Sequence, residues 1–301
     1  MDKFNRVYSL RVETEFVLET GRNRNLEITL PYTLEFEITR RLLTSAQTGL
    51  FRIYNLGEQN RNAIQKDVFQ FTQRRSIQFR AGYDSPWGRF QALAFNGTVL
   101  TAYSYRKDRD WITEIEAYDG GWQSANGEAV STTISPGQSA AQTITNLSKQ
   151  IPYNSGVPIV GSFPTENLRG EALFGNIWEL IIQKSNGKAT IDNGQVKALQ
   201  NNEVIVGEIP LVSADTGLLG SPKRTISTLD FDMIFEPRLT VGQILVVQSA
   251  ASRQFNRPWK VQGFTHRGTI SPAVAGDAVT SVNLWFTTEE LREVAGTPVT
   301  Q

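Results

Sequence analysis

Apolar and polar residues alternate with period two over much of the first 120 residues. Tyr8, Leu10 and Val12 alternate with Ser9, Arg11 and Glu13; Leu26, Ile28 and Leu30 alternate with Glu27 and Thr29. Leu34, Phe36 and Ile38 do the same with Glu35, Glu37 and Thr39. That spacing predicts strands with one face on a core and the other toward solvent or a partner. Gly21 to Asn25 reads as a polar hairpin loop between two such runs, and Leu50 to Leu56 as a further strand. A short helix is expected over about 58–68, then strands at 76–81, 92–100 and 103–118, the last a hairpin turning at Lys107 to Asp110.

The pattern changes after Asp119-Gly120-Gly121. Ser139 is placed to cap a helix over 140–151, whose Ile144, Leu147 and Ile151 share a face. A second helix is expected from about Gly170 to Lys184, with Leu173, Ile177, Leu180 and Ile181 on one side. Asn193-Gly194 is the type I′ turn pair of a hairpin over 189–199. From Glu203 the β pattern returns. Its centre is the stretch Thr228 to Gly268, where Pro237 and Gly242 bracket a turn into the run Ile244 to Gln248. Trp259, Val261 and Phe264 then supply the second arm of a hairpin, and a last strand is expected over 280–286. The reading is a mainly β chain with an α+β insert. Two β-barrel or sandwich units, 1–120 and 201–301, flank a small α/β module, 121–200. The two halves suggest a distant duplication.

The chain has 301 residues, enough for two or three cores, and its 30 basic and 30 acidic side chains cancel. No global field therefore draws it to nucleic acid or to an anionic membrane. Twenty-one of the basic residues are Arg, which suits polar protein interfaces and equally reflects codon usage. The absence of cysteine excludes disulfides, thiolate nucleophiles and iron–sulfur clusters. No run approaches the ~18 apolar residues of a membrane-spanning helix, and Met1 to Arg6 lacks a signal-peptide core. A soluble protein made in the cytoplasm is expected.

Candidate chemistry is sparse. His266 is the chain's one histidine, so it cannot form a zinc triad, and no Gly-x-Ser-x-Gly elbow exists for it to serve. It reads as a hydrogen-bonded structural residue. Asp230 and Asp232 share a strand face that could suit a cation, but the pattern is that of a solvated face. The pairs Glu35/Glu37 and Glu114/Glu116 alternate with apolar residues in the same way, which argues against a glycosidase pair. Gly217 to Gly220 lacks the spacing and Lys of a phosphate loop. Aromatics interleaved with Arg at Tyr103 to Arg106 and Trp87 to Phe90 suit an interface rim better than a base-stacking surface. No catalytic, cofactor-binding or metal-ligating residue is assigned, no cofactor is expected, and the chain reads as a non-enzyme.

Several segments together resemble the baseplate central hub family of contractile-tailed bacteriophages. They are Phe51-Arg52-Ile53-Tyr54-Asn55-Leu56, Arg61 to Ile64, Gln78 to Tyr83 and Phe95 to Val99 in the first half. In the last third they are Ala214 to Pro222, Phe235 to Gly242, Trp259-Lys260-Val261 and His266-Arg267-Gly268. The sequence departs from the family pattern at Thr269, where an acidic residue is usual, and in a longer Arg253 to Pro258 loop. The resemblance implies two tail-tube-like β-domains per chain and a homotrimer of pseudo-six-fold symmetry. Such a ring adapts a hexameric tail tube above to a trimeric central spike below, with wedge proteins around it and DNA passing through without specific binding. A related module occurs in type VI secretion spikes. The implied location is the virion baseplate, assembled in the host cytoplasm. Other readings are a tail ring component such as a distal tail protein, a carbohydrate-binding surface module with exposed aromatics, or a peptidoglycan hydrolase, for which no spare ~150 residues remain.

Overall fold

The computed structural model describes residues 5–17, 22–44, 46–68, 74–86, 88–122, 129–152, 156–163, 169–208, 211–285 and 289–294. The chain is mainly β. The first part holds β1 (Arg6–Val17), β2 (Arg22–Thr29), β3 (Leu34–Arg41), β4 (Gln47–Tyr54), helix α1 (Glu58–Ile64), β5 (Ser76–Ser85), β6 (Gly88–Lys107) and β7 (Asp110–Asp119). The middle part holds β8 (Ala129–Ile134), α2 (Ala140–Ser148), β9 (Ile159–Val160), β10 (Glu171–Asn176), α3 (Ile177–Lys184), β11 (Ala189–Asp192) and β12 (Gln195–Ala198). The last part holds β13 (Glu203–Ile205), β14 (Leu211–Ser213), β15 (Leu218–Arg224), β16 (Thr228–Ile234), β17 (Ile244–Gln248), β18 (Pro258–Ile270), β19 (Ala278–Trp285) and β20 (Arg292–Val294).

The alternation seen in the sequence decides which face each strand buries. In β3, Leu34, Phe36, Ile38 and Arg40 are buried while Glu35, Glu37, Thr39 and Arg41 face out. One sheet runs through both β parts in the order β15-β16-β19-β18-β3-β4-β7-β6-β5-β1-β2, and among the described residues its path stays open. The two parts join where β18 pairs antiparallel with β3, Gly263 opposite Arg41 through Ile270 opposite Leu34. Apolar side chains gather in three main clusters. One lies in the first β part around Phe36, Phe51, Phe79 and Phe95, one in the middle module around Ile144, Trp178 and Ile181, and one in the last β part around Leu245, Trp259 and Phe264. Phe235, Ile270 and Ala278 of the last part pack into the first cluster, so the shared sheet has a continuous apolar backing.

Three expectations need correction. The helix expected over 170–184 begins only at Ile177. Glu171–Asn176 instead pair as a strand with β8, Leu173 buried and Phe174 exposed in strand alternation. Gly175 takes a positive φ of 139°, and the Asn176 side chain accepts from the N–H groups of Trp178 and Glu179, which starts the helix there. The loop expected at Gly21 to Asn25 is largely strand, with Arg22, Asn23 and Asn25 paired to Val17, Phe16 and Glu13; Gly21 lies outside the described residues. The two strands expected at 92–100 and from 103 are one, β6, bulged between Val99 and Thr101. Ser139 caps α2 as expected, in a full capping box with Gln142.

Candidate functional site

Two features stand out, a wide polar sheet face and a buried ionic junction beneath it. The face is made by the outward positions of β16, β19, β18, β3, β4 and β7. Register aligns Asp232, Ser281, Thr265, Thr39, Thr48 and Tyr118 in one row across both β parts. Ser281 donates to Asp232 at 2.6 Å, and the Thr39 and Thr265 hydroxyls lie 3.3 Å apart. A neighbouring row holds Val279, Arg267, Glu37, Leu50 and Glu116; the next holds Thr269, Glu35, Arg52 and Glu114. Asp230, Asp232, Glu35, Glu37, Glu114 and Glu116 put six carboxylates on this face, against Arg41, Arg52, Arg267 and Lys223. The face is acidic although the chain is neutral.

Three of the carboxylates are held by phenols or Arg. Tyr54 donates to Glu35 at 2.8 Å, Tyr118 to Glu116 at 3.0 Å, and Tyr103 to Glu114 at 2.6 Å; Arg52 also bonds Glu114 at 2.6 Å. Partial burial opposes ionisation of Glu114, but the Tyr103 and Arg52 hydrogen bonds hold it below the usual carboxylate range. The same bond to Glu114 pushes the Tyr103 phenol up to about 12.

The junction is built on the hairpin β11–β12. Asn193 (φ 53°) and Gly194 (φ 74°) form its turn, and the left-handed backbone explains why this pair stands there. The turn tip enters the first β part. Asp192 accepts from Arg40 of β3 at 2.6 Å and from Lys197 and Thr240, each at 2.6 Å. Arg40 also donates to Asn193 and to the Ala94 carbonyl. Asp119 of β7 accepts from the Gly194 N–H at 3.0 Å, and Gln47 of β4 donates to Thr190 at 3.0 Å. Asp192 thus bonds side chains from all three parts of the chain. Burial would raise its pKa, yet the Lys197 and Arg40 charges hold it well below the carboxylate range. Burial pushes Asp119 up to about 7 despite the nearby Arg40.

His266 sits on the edge of this cluster, fully buried. Its Nδ1 is 2.8 Å from Thr280 Oγ1, and its ring packs on Phe264 and Phe235. Burial, reinforced by Arg40, pushes its pKa well below 6.5, so it is neutral and structural. Asp230 accepts from Asn283 at 2.9 Å, so the pair with Asp232 is spent on cross-strand bonds. Among the described residues no group of three or more His, Asp or Glu side chains gathers to hold a metal ion. No helix of the described residues is long and apolar enough to cross a membrane. Trp87 lies outside the described residues. Arg238 lies over the Phe90 ring, and Arg61 stacks on Trp111 at 4.2 Å. Tyr103 and Tyr105 meet tilted at 30°, their ring centroids 6.0 Å apart. Sequence reasoning missed Arg40. Arg40-Arg41 looks like a surface pair, and only its inward parity beside Ile38 distinguishes it.

The family model for "Baseplate hub gp41" matches residues 15–266. A search of curated proteins found no match. Among solved structures, the fold is similar to the 43 kDa tail protein of prophage MuSo2 from Shewanella oneidensis, with a TM-score of 0.54 and 8% identity over 92% of this chain and 98% of that one. It is also similar to a chain of the lidded Francisella PdpA–VgrG complex, with a TM-score of 0.53 and 8% identity. There the match covers 96% of this chain and 54% of the other, so this chain spans about half of that one's length.

Proposed function

The chain belongs to the baseplate hub gp41 family, a structural component of phage baseplates, and on that premise we propose that three copies form the ring joining a six-fold tail tube to a three-fold central spike. One observation carries the proposal. The sheet order β3-β4-β7-β6 recurs as β15-β16-β19-β18, so each chain brings two like-ordered four-strand units side by side. Three such chains present six units, which is the match a hexameric tube needs. The division into a first β-domain (1–120), an inserted module (121–200) and a second β-domain (201–301) belongs to the same proposal. The inserted module is fastened to both β units through Asp192, and this ionic anchoring supports a rigid rather than a swinging attachment.

The acidic, hydroxyl-bearing face of the shared sheet is the surface we assign to the lumen. DNA sliding past it meets a run of carboxylates that does not attract phosphate, with Glu35, Glu114 and Glu116 already bonded to Tyr or Arg. No chemistry is assigned to the site; its work is shape and charge. Sedimentation velocity of the chain, alone and mixed with its spike, tests the ring. A species of three chain masses is expected. A single-chain species in both samples would overturn it.

A further inference from the structure

β13 and β20 stand apart from the shared sheet and make a sheet of two. β13 is the first strand after the β11–β12 hairpin, and it is buried throughout: Glu203, Val204 and Ile205 are each 5% exposed or less. One edge is held from the last β part, where the Ile205 N–H donates to the Gly242 carbonyl at 2.9 Å. The strand's start is held as well. The Glu203 carboxylate accepts from the Ser162 and Gln200 N–H groups at 2.7 and 2.8 Å, and Lys260 of β18 donates to the Gln200 carbonyl at 2.6 Å. None of these bonds involves β20.

The other edge of β13 is covered, among the described residues, by β20, and the cover is thin. The pairing is parallel and runs only from Glu203 opposite Arg292 to Ile205 opposite Val294. The Arg292 N–H adds a bond to the Asn202 carbonyl at 2.9 Å, and its side chain donates to Ser162 Oγ at 2.5 Å. Arg292 and Glu293 are exposed. Val294 is half-buried and packs on a small cluster of Ile159, Leu199 and Ile205. A two-strand pair is marginal on its own in water, and segments with few buried apolar contacts open ahead of the rest of a fold.

We propose that β20 is a releasable clasp over a strand-accepting edge: it lifts while β13 and the Asp192 junction stay in place, and it bares the β13 ladder beside a floor of Ile159, Leu199 and Ile205. The asymmetry of the pair carries the argument. β13 keeps its bonds to Gly242, Ser162 and Gln200 without β20, whereas β20 has one apolar anchor, Val294. A bare ladder beside an apolar seat is the arrangement that strand addition uses, with main-chain bonds giving affinity and the seat giving selectivity. Seated, β20 keeps the edge from pairing with stray strands. The proposal goes beyond the ring reading and does not depend on it.

Val294→Asp in the full-length chain sets a carboxylate against the apolar floor and unseats the clasp. Amide exchange over β13 is expected to quicken at least tenfold, with exchange at residues 191–194 of the junction unchanged. A synthetic peptide of residues 289–294, added in trans, should restore slow exchange in that variant. By fluorescence anisotropy the same peptide should bind wild type at least tenfold more weakly, because the chain's own β20 holds the seat, and the peptide carrying Val294→Asp should bind neither. If Val294→Asp fails to fold by circular dichroism, Val294→Ala carries the same test. Unchanged exchange at β13, or quickening that reaches residues 191–194 equally, would overturn the clasp. Equal binding of the peptide to both proteins, or none to the variant, would overturn the strand-accepting edge.

Discussion

Arg40 of β3 and Asp192 at the hairpin turn meet at 2.6 Å, each side chain 1% exposed. The contact bridges 152 residues of sequence and binds the middle module to the first β unit through two buried side chains. A buried ion pair is a weak source of net stability, because both charges lose their hydration. Its value is directional. Asp192 is satisfied only when Arg40, Lys197 and Thr240 all converge, which fixes one orientation of three separately cored parts.

Breaking the pair from one side strands a charge. Asp192→Ala leaves Arg40 and Lys197 facing each other without a counterion, and a loss of about 3–5 kcal/mol is expected. Equilibrium unfolding in urea measures it. A loss below ~1 kcal/mol would mean that the junction is solvated in solution.

Asp119 and His266 have opposite pH signatures. The Asp119 carboxyl titrates near 7 when folded and near 3.8 when unfolded, so the folded state holds the extra proton between about 4 and 7. Its contribution to stability therefore falls as pH rises through that window. His266 is neutral when folded, and below 6.5 the unfolded state binds the extra proton, so its contribution falls as pH drops. Relative to wild type, Asp119→Asn gains Tm as pH rises from about 4 to 7, and His266→Gln gains Tm as pH falls below 6.5. Parallel Tm curves for all three proteins would contradict both assignments.

The β3–β18 seam is closely packed. A Cβ added at Gly263 would lie 2.8 Å from the Arg40 carbonyl oxygen. Gly263→Ala is expected to cost about 1–3 kcal/mol through overpacking. Faster amide exchange should appear along β3 and β18 before it appears at β1–β2. An unaltered exchange pattern would place the strain elsewhere.

The acidic face predicts indifference to DNA. The wild-type chain should show no retention of duplex DNA in gel-shift titrations up to about 100 µM at physiological salt, the weak end of non-specific binding. Converting Glu35, Glu37, Glu114 and Glu116 to Lys should create salt-sensitive binding. Micromolar binding by the wild type would remove this face from the lumen.

Much of this was legible in the sequence. Period-two runs located most strands, and the face they left polar is the face that carries Glu35, Glu37, Glu114 and Glu116. Asn193-Gly194 announced its turn because few other pairs accept two left-handed residues in succession. What escaped was non-local. Nothing near Leu34 or Ile270 signals that these residues oppose each other, because register across a long separation is settled by tertiary packing. The strand at Glu171–Asn176 escaped for the converse reason: its apolar spacing merges with that of the helix after it, and only Gly175-Asn176 marks the boundary. The sequence motif at Phe51 to Leu56 begins on β4 and runs just past its end, and that at His266 to Gly268 lies on β18; both strands belong to the one shared sheet.

The central claim is that each chain supplies two tube-like units to a closed trimeric ring. Negative-stain electron microscopy of the purified chain, alone and with its spike, tests it most directly. Class averages showing a ring of six similar lobes around an open channel are the predicted result. Compact single-chain particles in both samples would contradict it.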